Sequence, residues 1–97
     1  MTKIQKIRKI LKQKKPFLLK KYKIKELGIF GSYLRAEEGK RSDVDLLIDF
    51  RKYPSFLEFI EIENYLADTL GLKVDLVMKS ALKPRIGQHI LREVEYL

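Results

Sequence analysis

Four residues in one short stretch have the types and spacing for chemistry: Gly31, Ser32, Asp43 and Asp45. The two carboxylates sit in Ser42-Asp43-Val44-Asp45-Leu46-Leu47-Ile48-Asp49-Phe50. That run is aliphatic and β-branched with acids at alternate places, which predicts a strand. Side chains two apart on a strand share a face. Asp43, Asp45, Leu47 and Asp49 therefore point one way, and Val44, Leu46, Ile48 and Phe50 the other. The second set is an apolar face that belongs in a core. The first set holds Asp43 and Asp45 ~7 Å apart along the backbone. Neighbouring like charges raise each other's pKa, and a divalent cation relieves that strain. Two Mg²⁺ ions roughly 3.5–4 Å apart can clamp the attacking and leaving oxygens of an in-line phosphoryl displacement. Mg²⁺ is suited to such a place because it takes a few carboxylates together with substrate phosphates.

Gly31-Ser32 supplies what the other half of such a site needs. Glycine lets backbone approach a phosphate closely. Ser32 is placed to cap a short helix over Tyr33-Leu34-Arg35-Ala36-Glu37-Glu38, whose first amides would face an anion. Gly39 is expected to end that helix. Taken singly, the Gly-Ser pair reads as a turn and the Asp pair as a solvated strand face. Together, with an apolar strand before them and ten residues between, they read as one site.

The elements that must hold this site are legible in outline. Residues 1–21 form a basic segment, with a helix from about Thr2 to Lys15 carrying Ile4, Ile7, Ile10 and Leu11 as an apolar stripe. Pro16 is expected to break it, with Phe17, Leu18 and Leu19 able to resume a helix to about Lys21. A first strand spans about Ile24 to Phe30. After the Asp strand, Ser55 caps a helix from about Phe56 to Leu70, closed by Gly71. Its expected apolar stripe is Phe56, Phe59, Ile60, Tyr65, Leu66 and Leu70, interrupted by Glu63. A third strand follows at Lys73–Met78, with Asp75 pointing opposite to Val74, Leu76 and Met78. A strand–helix–strand unit lays this strand beside an earlier one, which can bring Asp75 to the Asp pair. The tail reads as a helix from Pro84 to about Glu93, with Ile86, Ile90, Leu91 and Val94 on one side, then a short edge strand at Glu95-Tyr96-Leu97. The fold class is α+β (α/β): a single small domain, residues 1–97, with a mixed sheet of three to four strands and helices packed on it.

Composition narrows the function classes. The chain has no Cys, so it holds neither a disulfide framework nor a thiolate metal site, and a cytoplasmic location is compatible with this. No apolar run is long enough for a membrane span. The net charge of +8 is uneven: residues 1–25 hold eleven Lys or Arg and no acid. The remainder holds ten against thirteen Asp or Glu. The basic segment lacks interleaved aromatics or a nucleic-acid module, so it reads as the solvated face of a packed helix rather than a nucleic-acid surface. Lys40 and Arg41 read as a surface turn, and the lone His89 as an outward helix position without a ligand partner.

The stretch Gly28-Ile29-Phe30-Gly31-Ser32-Tyr33-Leu34-Arg35, followed by Ser42-Asp43-Val44-Asp45-Leu46-Leu47-Ile48, resembles the signature of the DNA polymerase β-like nucleotidyltransferase superfamily. It is most similar to the minimal nucleotidyltransferase (MNT) branch, the small partners of HEPN-domain proteins in toxin–antitoxin pairs. The resemblance covers the chain from about Ile24 onward. It implies that Asp43, Asp45 and Asp75 hold two Mg²⁺ ions, with Asp75 as the third carboxylate that also draws a proton from the attacking hydroxyl. It implies that Gly31 and Ser32 hold the β- and γ-phosphates of ATP. Arg35 would either orient the triphosphate or pair with a nearby carboxylate. The reaction implied is transfer of AMP from ATP to a tyrosine hydroxyl of a HEPN RNase toxin. The larger superfamily members use extra domains to hold the acceptor, and little of this chain is left over for one, so the acceptor is expected on a partner protein. Two other readings stand beside this one: an antitoxin that neutralises its partner by binding alone, and a nucleic-acid-binding module driven by residues 1–25.

Overall fold

The computed structural model describes residues 1–97. Helix α1 (Lys3–Tyr22) opens at Thr2, whose hydroxyl accepts the Gln5 N–H while the Gln5 side chain accepts the Thr2 N–H. This reciprocal cap satisfies two amides that a helix start leaves without partners. The helix runs unbroken through Pro16, which corrects the expected break. An interior proline costs a helix ~3 kcal/mol. Ile7 and Leu11 before it, and Leu18 and Tyr22 after it, are all buried in one core, while Pro16 faces solvent. Burying each such side chain contributes ~1.5–3 kcal/mol, so packing of the two halves outweighs the local penalty.

Strands β1 (Ile24–Phe30), β2 (Val44–Phe50), β3 (Val74–Met78) and β4 (Glu95–Tyr96) make one mixed sheet in the order β3-β2-β1-β4. β1 is antiparallel to β2 and β4, whereas β2 and β3 are parallel. Parallel neighbours need a crossover, and helix α2 (Phe56–Leu70) provides it. The spacing of Ile24, Leu27 and Ile29 is not that of a regular strand. A register shift between Ile24 and Glu26 inserts one extra residue, after which all three face the core. On β2 the expected alternation holds: Val44, Leu46, Ile48 and Phe50 are at most 4% exposed. Leu47, on the acidic face, is also buried, as is Phe30, and both lie outside the main core cluster.

α2 begins at Ser55 with a second reciprocal cap, to Glu58, and ends at Gly71 with φ 66°. Its buried contacts are Ile62 and Leu66, with Phe59, Tyr65 and Leu70 partly buried. Phe56, on that expected stripe, is 76% exposed. A 3₁₀ turn (Lys79–Ala81) leads to helix α3 (Pro84–Glu93). Of its expected apolar side, Ile90 and Val94 are half-buried, while Ile86 and Leu91 are exposed. The C-terminal strand is tied to α1: the Arg8 guanidinium donates to both Glu95 oxygens at 2.5 and 3.1 Å, and Lys15 donates to the Leu97 main-chain oxygen. Part of the basic helix thus works as a brace. No helix is long and apolar enough to cross a membrane.

Candidate active site

β1 ends at Phe30, opposite Asp45 on β2. Gly31 leaves the strand with φ 82°, a region that favours glycine. A Cβ placed there would fall 2.0 Å from Asp45 Oδ2, so the carboxylate lies directly against the Gly31 backbone. A side chain there would have to displace the Asp45 carboxylate and would strain the backbone at this positive φ.

The following segment is a tight turn and not the expected helix. Arg35 N–H donates to the Gly31 carbonyl at 3.2 Å, Ala36 to Tyr33 at 3.2 Å and Glu37 to Ser32 at 2.8 Å. Ala36, at φ 57°, ends the coil before a helix can propagate. Ser32 therefore caps no helix, and Gly39 ends none; the Gly39 N–H instead donates to the Ser42 hydroxyl oxygen at 2.8 Å. The amides of Ser32, Tyr33 and Leu34 enter no backbone hydrogen bond. Successive free amides in a turn are donors of the kind that can receive an anion.

On the other flank, Asp75 is the direct register partner of Asp45 across the parallel β2–β3 pair. Adjacent strands lie ~4.8 Å apart, so the two side chains stand next to each other on one face. Asp43 precedes β2 and is exposed. Asp45 is half-buried, and its pKa is pushed up to about 6 by burial first, then by the charges of Asp75, Asp43 and Glu93, with Arg35 opposing. Burial and neighbouring like charges both disfavour its ionised form. In the chain as it stands, no three His, Cys, Asp or Glu side chains form a preformed metal cage. The donor set nevertheless suits Mg²⁺, which takes hard oxygen ligands and completes its shell from substrate phosphate and water. None of the surface cavities is lined by Asp43, Asp45 or Asp75. The three carboxylates lie on the open surface at the sheet end rather than in a cavity.

Arg35 is paired with carboxylates, its Nε donating to Glu37 at 3.1 Å and its Nη1 to Glu93. Lys40, Arg41 and His89 are exposed and make no ion pair. Glu93 was missed by sequence reasoning. It closes α3, and its Oε2 accepts the Gly31 N–H at 3.1 Å. Only folding brings it there, from 62 residues away.

Comparison with known proteins follows the same outline. Residues 4–97 match the nucleotidyltransferase domain family. Protein adenylyltransferase MntA of Thermococcus cleftensis is 50% identical over 97 residues, covering 100% of this chain and 98% of that one. A solved structure provisionally assigned as a minimal nucleotidyltransferase superposes with TM-score 0.76 at 28% identity, covering 94% of this chain and 95% of that one. Two toxin–antitoxin complexes share the fold: one with AMP-PNP (TM-score 0.70, 23% identity, covering 99% and 72%), and one of a tri-AMPylated Shewanella oneidensis HEPN toxin with its MNT antitoxin (TM-score 0.62, 22% identity, covering 97% and 67%).

Proposed function

The chain belongs to the nucleotidyltransferase domain family and is a nucleotidyltransferase; from that premise we propose that it is a Mg²⁺-dependent protein adenylyltransferase antitoxin, which moves AMP from ATP to a tyrosine hydroxyl of a HEPN-domain RNase toxin. The observation that carries this reading is the register pairing of Asp45 with Asp75, beside a turn whose glycine touches Asp45. The relative's adenylyltransferase activity and the AMPylated HEPN toxin of the similar complex support the choice of co-substrate and acceptor.

In this reading Ser32 Oγ and the amides of Ser32, Tyr33 and Leu34 receive the β- and γ-phosphates. Gly31 contributes by its shape, letting the turn lie against Asp45. Asp43, Asp45 and Asp75 would hold Mg²⁺, which when bound would neutralise triphosphate charge and polarise the α-phosphoryl group. Asp75, the more exposed of the register pair, takes the proton of the incoming tyrosine hydroxyl. The tyrosine oxygen then bonds to the α-phosphorus as the bond from that phosphorus to the bridging oxygen breaks. AMP-tyrosine and pyrophosphate are the products, and the proton passes to solvent. Positioning and charge complementarity carry the rate, since phosphoryl transfer asks little covalent chemistry of the protein.

The test is incubation of the chain with α-labelled ATP, Mg²⁺ and a HEPN-domain toxin as acceptor. Label on a toxin tyrosine, lost with Asp45→Asn, is the expected result. Neutralisation of the toxin without label would replace the enzymatic reading by binding alone.

A further inference from the structure

Glu93 ends α3, next to Val94, whose side chain lies where a Cβ on Gly28 would sit. Its side chain is 24% exposed. One oxygen accepts the Gly31 N–H and the other takes the Arg35 guanidinium, so a single carboxylate spans both ends of the turn that follows β1. The remaining hydrogen bonds of residues 31–37 are made within the turn itself. Glu93 is thus the turn's one hydrogen-bonding partner from elsewhere in the chain.

Two consequences follow. The Gly31 amide is already spent, so the donors left for an anion are the three amides after it and the Ser32 hydroxyl. The Arg35 charge is divided between Glu93 and Glu37, so its guanidinium works as a strut between α3 and the turn. We propose that Glu93 is a positioning residue that sets the orientation of the Ser32–Leu34 amides toward a triphosphate, and that Arg35 acts through Glu93 and not on the phosphate. A purely structural role fits less well, because the C-terminal segment has other anchors. β4 pairs with β1, Arg8 holds Glu95, and Lys15 holds Leu97. Removing Glu93 frees the turn while the fold stays tied.

The inference rests on reading this turn as the triphosphate site. The experiment compares the full-length wild type with Glu93→Ala, Glu93→Gln, Arg35→Ala and the double variant Glu93→Ala/Arg35→Ala. It measures Mg·ATP binding at equilibrium, and KM and kcat for AMP transfer. Glu93→Ala is expected to raise both Kd and KM for ATP about tenfold, as loss of an orienting partner typically does, with kcat held within about twofold. Glu93→Gln keeps an acceptor for the Gly31 amide but no charge for Arg35, and is expected to fall between the two. The double variant is expected to match Glu93→Ala, because residues acting through one contact are not additive. Unchanged Kd and KM in Glu93→Ala would overturn the inference, as would a lower Kd, which would make Glu93 a competitor for the anion site. So would a full Arg35→Ala effect on top of Glu93→Ala, which would put Arg35 on the nucleotide. A wild-type chain that binds no Mg·ATP removes the triphosphate reading itself, and the inference with it.

Discussion

The two faces of the central sheet are built from the same strands and live in opposite surroundings. On one face Ile24, Leu27, Ile29, Val44, Leu46, Ile48, Phe50 and Leu76 pack with Ile7, Leu11, Leu18 and Tyr22 of α1 and with Ile62 and Leu66 of α2. On the other, β2 and β3 present Asp45, Asp49 and Asp75, with Asp43 just ahead of them. Burial of apolar area stabilises the first face and asks only for volume and shape. The second face gathers like charge at the end where β1 turns away, and Asp45 responds with a raised pKa. Stability and chemistry therefore divide largely by residue parity along β2, with buried Leu47 the one apolar residue on its acidic side. A substitution one position along β2 should shift which of the two properties bears the larger effect.

Asp45→Asn gives the largest effect. Transfer should drop on the order of 10³-fold, the scale of a lost electrostatic contact at a reacting phosphate, while the circular dichroism spectrum is unchanged. Transfer at wild-type rate would mean that chemistry does not reside on this face. One residue further along, Leu46→Ala empties a fully buried site. It should cost about 2–5 kcal/mol in denaturant unfolding, with KM for ATP intact wherever the variant remains folded. A changed KM at full folding would show that the two faces communicate. Gly31→Ala places a methyl against Asp45 at a positive φ. It should cost about 1–3 kcal/mol of stability and weaken ATP binding as well, since this is the point where backbone and carboxylate touch.

The smallest effect concerns pH. Asp45 has a folded-state pKa of about 6 against an ordinary 3.8. Between these values the folded chain keeps a proton that the unfolded chain has released. That contribution favours folding fully below pH 3.8 and is lost as pH rises through about 6. Asparagine does not ionise. In the absence of divalent cations, Asp45→Asn should melt on the order of 4 °C above wild type at pH 7.5, with the gap closing as pH falls toward 4. Equal melting at both pH values would place Asp45 in water rather than in a half-buried cluster.

Local signals in the chain were strong where short-range physics decides. The alternation of β2, the caps at Thr2, Ser55 and Gly71, and the orientation of Asp75 all depend on residues a few places apart, and the structure has them. Similarity to known nucleotidyltransferases bears out the family that Gly31-Ser32 and Asp43-Val44-Asp45 suggested. Legibility ended where distant packing overrides a local preference. Pro16 stays helical because both halves of α1 are docked. Tyr33–Glu38 has helix-forming residues but stops as a turn, held by Glu93 and ended by Ala36. Phe56, Ile86 and Leu91 fit an apolar period yet face solvent, because a period specifies a side of a helix and not whether the sheet extends beneath it.

By itself, then, the amino-acid sequence determined the strands and the helix caps, the parity that separates a mostly apolar from an acidic side of β2, and the chemistry those acids suit. These depend on backbone geometry that repeats every two or 3.6 residues. Tertiary structure alone decided that Asp75 stands in register with Asp45, that Gly31 closes onto that carboxylate, and that Glu93 reaches back to hold the turn. The reason is that register and long-range contact are set by how the sheet pairs and where α3 comes to rest. No spacing along the chain encodes a meeting between residues 31 and 93.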